Sequence, residues 1–275
     1  MSAPIELVLS DMDGTLLRRD HSLAPAVVAA VGRLHDAGVL FTLASARPPR
    51  AMLEQARALG ITAPLAGFNG GRLVCPDGRV LEAHTIAPEA VRTALAFFAE
   101  HPVDVWLFAD GEWLLKDFSA AHLQTERHAL GYDAVQVSDF SPWLGRVDKI
   151  VATTADHALL ERLEAALQPL LAGQAHAARS QAYYLDVTAL EADKGEALVR
   201  LARHLNIALE ATAVLGDGHN DIAMFKRAGL AIAMGQASSE VRAAADEVSG
   251  SNEEDGVATA IERFILPRGL PAGER

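Results

Sequence analysis

Asp11 and Asp13, two positions apart in the segment SDMDGTL, are the first residues whose type and spacing invite chemistry. The apolar run IELVLS before them reads as a buried strand. Strand alternation leaves both carboxylates on one side, and Gly14 lets the chain turn sharply beneath them. Two like charges this close repel, so the pair persists cheaply only if a cation neutralises it or one carboxyl keeps its proton. Taken alone, the segment also fits ordinary Asp-Gly turn chemistry with helix capping. A calcium loop of the EF-hand kind is excluded: the sixth position from Asp11 is Leu16 where Gly is required, and the twelfth is Ser22 where Glu is required.

The segment VLGDGHNDIAMF repeats the design near the other end of the chain, with Gly216 followed by Asp217, Asn220 and Asp221 at the mouth of a helix. In a parallel sheet, strands distant in sequence deliver their carboxyl ends to one edge, so Asp217 can approach Asp11. Three or four carboxylates in one small volume favour a hard cation with oxygen ligands, Mg²⁺ being the usual one where phosphate is also bound. Individually, Asn220 and Asp221 also read as a helix cap with first-turn charge. Ser45, in LASARPP, precedes an expected helix over 48–59, whose free N–H groups suit an anion; an ordinary N-cap is the alternative. Lys194 opens a helix in EADKGEAL, where the dipole disfavours a cation, so it is either a solvated surface lysine or a group reaching back to a phosphoryl oxygen.

The elements that must position these residues follow from periodicity. Strand, helix and strand alternate over residues 5–10, 24–37 and 39–44, then comes a turn at FNGG and a hairpin through CPDG. From about 84 to 187 hairpins replace crossovers: helix and two strands (VDVWLFA, EWLLKD), a helix near 120–130, the run KIVATT, a helix near 156–171, and two strands (QAHAARS, AYYLDVT). Crossovers return from 193, with helices at 194–205, 220–228 and 238–244 separated by AVLGD and LAIAM. The expected organisation is an α/β chain with a parallel-sheet core over 1–83 and 188–275, an α+β module inserted over 84–187, and a frayed tail PRGLPAGER.

Composition narrows the class. The 275 residues are 50% hydrophobic and 22% charged, with a formal net charge of −12, which argues for a folded chain without a broad basic surface for nucleic acid or anionic lipid. One cysteine, Cys75, allows no disulfide within the chain and no multi-cysteine zinc site, so a cytoplasmic location is expected. The N-terminal stretch lacks the features of a signal peptide, and no apolar run is long enough to span a membrane. The ten histidines show no HExxH spacing, and neither GxxxxGK[ST] nor GxGxxG occurs, leaving zinc hydrolysis, P-loop nucleotide use and dinucleotide redox unsupported.

In this order and spacing, DMDGTLL, ASAR, ADKGEAL and GDGHNDIAMF resemble the four motifs of the haloacid dehalogenase superfamily. FNGGRLV, AIAMGQAS and SNEEDGVATAI resemble its Cof-type sugar-phosphatase branch, although Ala46 stands where that branch commonly has Gly. The resemblance implies a Rossmann-like core, a cap domain in the insert, and a Mg-dependent phosphatase of small phosphorylated metabolites. It implies Asp11 as nucleophile through an aspartyl-phosphate and Asp13 as general acid and then base. Mg²⁺ would be held by Asp11, the backbone carbonyl of Asp13 and Asp217, with Asp221 in support; Ser45, Lys194 and Asn220 would hold phosphoryl oxygens. Arg47 is expected to reach substrate or to make a structural ion pair. The acid at position 13 favours turnover over the persistent aspartyl-phosphate of ion-pumping relatives, which have Thr there. A phosphomutase and a non-catalytic phosphosugar-binding regulator are the alternatives. Substrate choice is expected in the insert, where Trp106, Trp113, Asp110, Arg179, Tyr183 and Tyr184 are candidates, with cross-strand packing the competing role.

Overall fold

A computed structural model describes residues 3–269. The chain divides into two compact units, one formed by residues up to Glu82 together with those from Asp193 onward, the other by Ala83–Ala192. Residues 83 and 188–192 therefore sit with the insert and not with the outer unit, because the last insert strand, Tyr184–Thr188, continues directly into a turn closed by Ala192 N–H on the Ala189 carbonyl.

The outer unit is built on a five-stranded sheet in the order Glu247–Val248, Leu230–Ala233, Thr212–Gly216, Leu7–Ser10, Leu40–Leu43, with every neighbouring pair parallel. Alternation sorts its residues into two layers. Val8, Phe41, Ala213, Leu215 and Ile232 pack with Val27, Val31 and Leu34 of helix Pro25–Asp36 and with Ile261 and Ile265. Leu9, Val214, Ala231 and Ala233 face Leu198 and Leu201 of helix Lys194–Leu205 and Met224, Phe225 and Val241 on the opposite side. Coverage on both faces explains why these strands are continuous apolar runs and not alternating ones. The register Ser10↔Leu215 and Ser10↔Leu43 ends three strands level at their carboxyl ends. The chain passes from Leu7–Ser10 to Leu40–Leu43 on one side and much later to Thr212–Gly216 on the other, the reversal that opens a crevice at such an edge.

The insert is a six-stranded sheet, antiparallel except where Glu112–Leu115 pairs in parallel with Val135–Gln136. Helices Pro88–Ala99 and His157–Leu170 cover one face through Val91, Ala94, Phe98, Leu160 and Leu163 against Leu107, Ile150, Ala152 and Leu185.

Two local expectations are corrected and one helical segment is added. The helix expected over 48–59 is a 3-10 turn, Pro49–Met52, leading into the short helix Leu53–Ala58, since two consecutive prolines delay helical hydrogen bonding. The tail is not frayed where it is described: Leu266–Arg268 forms a 3-10 turn and Ile5 N–H donates to the Arg268 carbonyl at 2.8 Å, while 270–275 lie outside the described residues. The helical segment Gly256–Ala260 with Ile261–Ile265 has no counterpart in the sequence expectation. Among the described residues no helix is long and apolar enough to cross a membrane.

Candidate active site

Asp11 follows strand Leu7–Ser10 with its N–H donating to the Leu215 carbonyl at 2.9 Å, which fixes it beside Gly216 and Asp217 on the neighbouring strand end. Its side chain is buried, and Lys194 Nζ donates to Asp11 Oδ1 and to Asp221 Oδ1, both at 2.6 Å. Lys194 is the first residue of its helix, capped by Asp193, whose side chain accepts from Glu196 N–H. The lysine that looked misplaced against the helix dipole is thus held by two carboxylates, and burial with 1% exposure rules out a solvated surface role.

Asp221 is fully buried, and its second oxygen accepts from the backbone N–H groups of Asp217 at 2.9 Å and Gly218 at 2.8 Å. It is therefore occupied by the protein and braces the loop that carries Asp217. Asp217 accepts from Thr15 Oγ1 at 2.8 Å. A Cβ on Gly14 would lie 2.4 Å from Asp217 Oδ2, so only glycine lets the two loops approach this closely, and Gly14 has φ +80 besides. Gln236 Nε2 ties the same turn by donating to the Gly14 carbonyl.

One carboxylate oxygen each from Asp11, Asp217 and Asp221 lies within 4.8 Å of the others. Three acids and one lysine leave the cluster two charges short of neutrality, and the titration directions reflect this. Burial raises the Asp11 carboxyl well above its ordinary range, with Asp221 and Asp217 adding to the shift and Lys194 only partly offsetting it. Burial likewise raises Asp217, against the opposing hydrogen bond from Thr15. The carboxylates in turn hold Lys194 firmly protonated despite its burial. An all-oxygen set with this charge deficit fits a divalent hard cation such as Mg²⁺.

A measurable consequence follows from the sign of those shifts. An acid harder to ionise folded than unfolded makes folding less favourable as pH rises past its unfolded pKa of about 3.9. In a chelator, Asp11→Asn should therefore melt above the wild type, by a margin that widens as pH increases from the ordinary carboxylate range towards neutrality; Mg²⁺ should narrow it. Thermal denaturation of both proteins across pH, with and without Mg²⁺, checks this, and a margin independent of pH would count against the charge deficit.

Asp13 is not one of the three clustered carboxylates, although its charge adds to the upward shift of Asp217. Its carboxylate is half-exposed and gripped by Arg47, whose Nε donates to Oδ2 at 2.7 Å and whose Nη2 donates to Oδ1 at 2.5 Å. Of the two roles open to Arg47, the structure shows the ion pair. Ser45 is buried, but it does not cap a helix: its Oγ accepts from Arg47 N–H at 3.1 Å, and the 3-10 turn begins further on at Pro49. Asn220 reaches across to Asn69, donating from Nδ2 to Oδ1 at 3.1 Å, and Asn69 N–H in turn donates to the Ser45 carbonyl at 2.7 Å. Phe68 and Asn69 both adopt left-handed backbone to make that turn. The structure thus brings Asp11, Lys194, Asp217 and Asp221 together, and links Asp13 with Arg47 and Asn220 with Asn69 and Ser45. Thr15, His21 and Gln236 were not singled out from the sequence; Thr15, inside DMDGTLL, and Gln236, inside AIAMGQAS, lay in motifs that could have found them, and His21 did not.

Within the insert, Trp106 and Trp113 are fully buried and meet edge-to-face at 5.3 Å, and Tyr184 joins Trp106 at the same separation, so these three pack. Asp110 pairs with Arg146 at 2.6 Å, Arg179 with Glu164 at 2.8 Å, and Tyr183 stacks on His122 at 4.4 Å.

Residues 8–261 match the family model of the haloacid dehalogenase-like hydrolases. The chain belongs to that family, in its Cof-type branch, and is a phosphatase. Among curated proteins it is similar to the HMP-PP phosphatase of Cronobacter sakazakii, 32% identical over 82% of this chain and 83% of that protein. A putative phosphatase of Haemophilus influenzae is 27% identical over 93% of this chain and 96% of its own length. Among solved structures, a haloacid dehalogenase-like hydrolase from Bacteroides thetaiotaomicron superposes with a TM-score of 0.87 at 26% identity, covering 94% of this chain and 99% of the other. A sugar phosphatase of HAD subclass IIB superposes at 0.82, also 26% identical, over 94% and 98%.

Proposed function

We propose that this phosphatase hydrolyses small phosphorylated metabolites, sugar phosphates or phosphorylated cofactors, through an aspartyl-phosphate on Asp11 with Mg²⁺ as its metal. The observation that carries the reading is the meeting of Asp11 with Lys194, Asp221 and Asp217 at level ends of parallel strands. The names of the relatives, HMP-PP phosphatase and sugar phosphatase, support the substrate class.

Asp11 and Asp217, with the backbone carbonyl of Asp13, would hold Mg²⁺, which when bound offsets the negative charge gathered around a phosphoryl group. The remaining chemistry belongs to the chain. An ammonium has three hydrogens, and Lys194 directs one at Asp11 and one at Asp221; we assign the third to a phosphoryl oxygen. Ser45 and Asn220, linked through Asn69, flank the same crevice edge and supply further donors. An Asp11 oxygen attacks phosphorus in line with the departing alkoxide, and Asp13, entering the step protonated, gives its proton to the alkoxide oxygen. Asp13, now ionised, takes a proton from the water that attacks phosphorus and releases inorganic phosphate and free Asp11. A single cysteine suits the reducing cytoplasm, where we place the protein.

The test is phosphate release across hexose phosphates, pentose phosphates, nucleotides and phosphorylated cofactors, with Mg²⁺ and after chelation. Release of inorganic phosphate that EDTA abolishes and Mg²⁺ restores is the expected result. Conversion of one hexose phosphate into another without release would point to a mutase, and full activity in EDTA would remove the metal.

A further inference from the structure

We propose that His21 is a positioning residue for Asp13, locking the Arg47 guanidinium so that the carboxyl meets the leaving oxygen; this rests on Asp13 being the general acid. Three atoms close a triangle: Arg47 Nη2 is 2.5 Å from Asp13 Oδ1 and 3.0 Å from His21 Nδ1, and His21 Nδ1 is 3.3 Å from Asp13 Oδ1. Nη2 carries two hydrogens, so with His21 in its Nε2–H tautomer one serves the carboxylate and the other the imidazole lone pair. Arg47 Nε holds the other carboxylate oxygen. The fork thus sets the carboxylate plane, and His21 holds the Nη2 arm of the fork.

The backbone is arranged for this contact. His21 sits at φ 62, in the left-handed region that side chains rarely adopt. It is kept there by a tight turn in which His21 N–H donates to the Arg18 carbonyl at 2.9 Å, Arg18 N–H to the Ser22 carbonyl at 3.0 Å, and Ser22 N–H to Asp20 Oδ1 at 2.9 Å. The ring stays 42% exposed, so burial of apolar surface does not account for its placement. Strain of this kind persists where surrounding structure over-determines it, often beside reacting groups.

A general acid matters only while the bond to the leaving group breaks, and p-nitrophenolate departs readily without a proton whereas a sugar alkoxide does not. The readout is therefore kcat/KM, which covers steps only up to departure of the alcohol, measured on p-nitrophenyl phosphate and on the sugar phosphate best hydrolysed in the panel above. His21→Gly removes the ring while accepting the left-handed backbone, and His21→Asn keeps an acceptor near the Nδ1 position and also tolerates that backbone. His21→Gly should lose roughly 10-fold or more on the sugar phosphate and about 2-fold or less on p-nitrophenyl phosphate, the size of effect seen when a group that orients another is removed. His21→Asn should recover most of the loss. Equal loss on both substrates, or none on either, overturns the inference. Asp13→Asn, run alongside, separates the two readings. If it too loses both activities equally, the general-acid assignment fails; if its loss is confined to the sugar phosphate while His21→Gly leaves the ratio of the two substrates unchanged, only the role of His21 fails.

Discussion

Asp11→Asn is expected to reduce turnover to background, a loss on the order of 10⁵-fold or more given the acceleration phosphatases must provide, while leaving the fold intact. The amide keeps an oxygen for Lys194 but lacks the charge and nucleophilicity to attack phosphorus. The substitution also relieves the charge deficit among Asp11, Asp217 and Asp221, so no structural penalty should confuse the result. Steady-state phosphate release, together with circular dichroism and thermal melting of the variant, checks both halves. Wild-type rates in a folded Asp11→Asn protein would exclude the covalent route.

Lys194→Met should be the most damaging change to both activity and stability. The ammonium is buried at 1% exposure and bonds two carboxylates that are themselves buried. Removing one partner of a buried ion pair costs about 3–5 kcal/mol, because the charges left behind have neither water nor a counterion. Denaturant unfolding should register that loss in chelator and recover part of it when Mg²⁺ is added, since a divalent cation can take over some of the neutralisation. Activity should stay at background even with Mg²⁺, because the hydrogen assigned to the phosphoryl oxygen is gone. An unfolding midpoint equal to that of the wild type in chelator would mean that Lys194 does not neutralise the cluster.

The acidic cluster was legible because it depends on features that periodicity exposes. Apolar runs ending in Asp11 and Asp217 mark strand ends, and a parallel sheet levels such ends regardless of sequence distance. Lys194 was visible by its conflict with the helix dipole, and the structure resolves the conflict through Asp11 and Asp221. Strand alternation was expected to leave Asp13 on the side of Asp11, but the strand ends at Ser10, so alternation does not set the direction of the Asp13 side chain, which Arg47 holds. That direction depends on how the Gly14 turn and the Arg18–Ser22 turn fold back, and no repeat or spacing encodes that path. Ser45 was misplaced relative to its helix because Pro48 and Pro49 postpone the first helical bonds. The short helical turns between Asn252 and Ile265 escaped notice because Gly250 and Gly256 interrupt the apolar pattern, although Val257, Ile261 and Ile265 pack under the sheet. The boundary at Asp193 was set five residues early because a strand's last apolar residue does not reveal the turn that still belongs to it.

The position of Leu7–Ser10 between Leu40–Leu43 and Thr212–Gly216 carries a cost during synthesis. One flank of that strand is covered by Leu40–Leu43 soon after it is made, but the other awaits Thr212–Gly216, and Thr15 awaits Asp217, 202 positions later. At ordinary elongation rates of about 5–20 residues per second, that interval is roughly 10–40 s. Throughout it, a mostly apolar strand presents an unpaired edge on the ribosome, an arrangement prone to adhere to other chains. Nascent chains of this protein should therefore lean on chaperones that shield such edges, and the cluster of Asp11, Asp217 and Asp221 assembles only after most of the polypeptide has emerged.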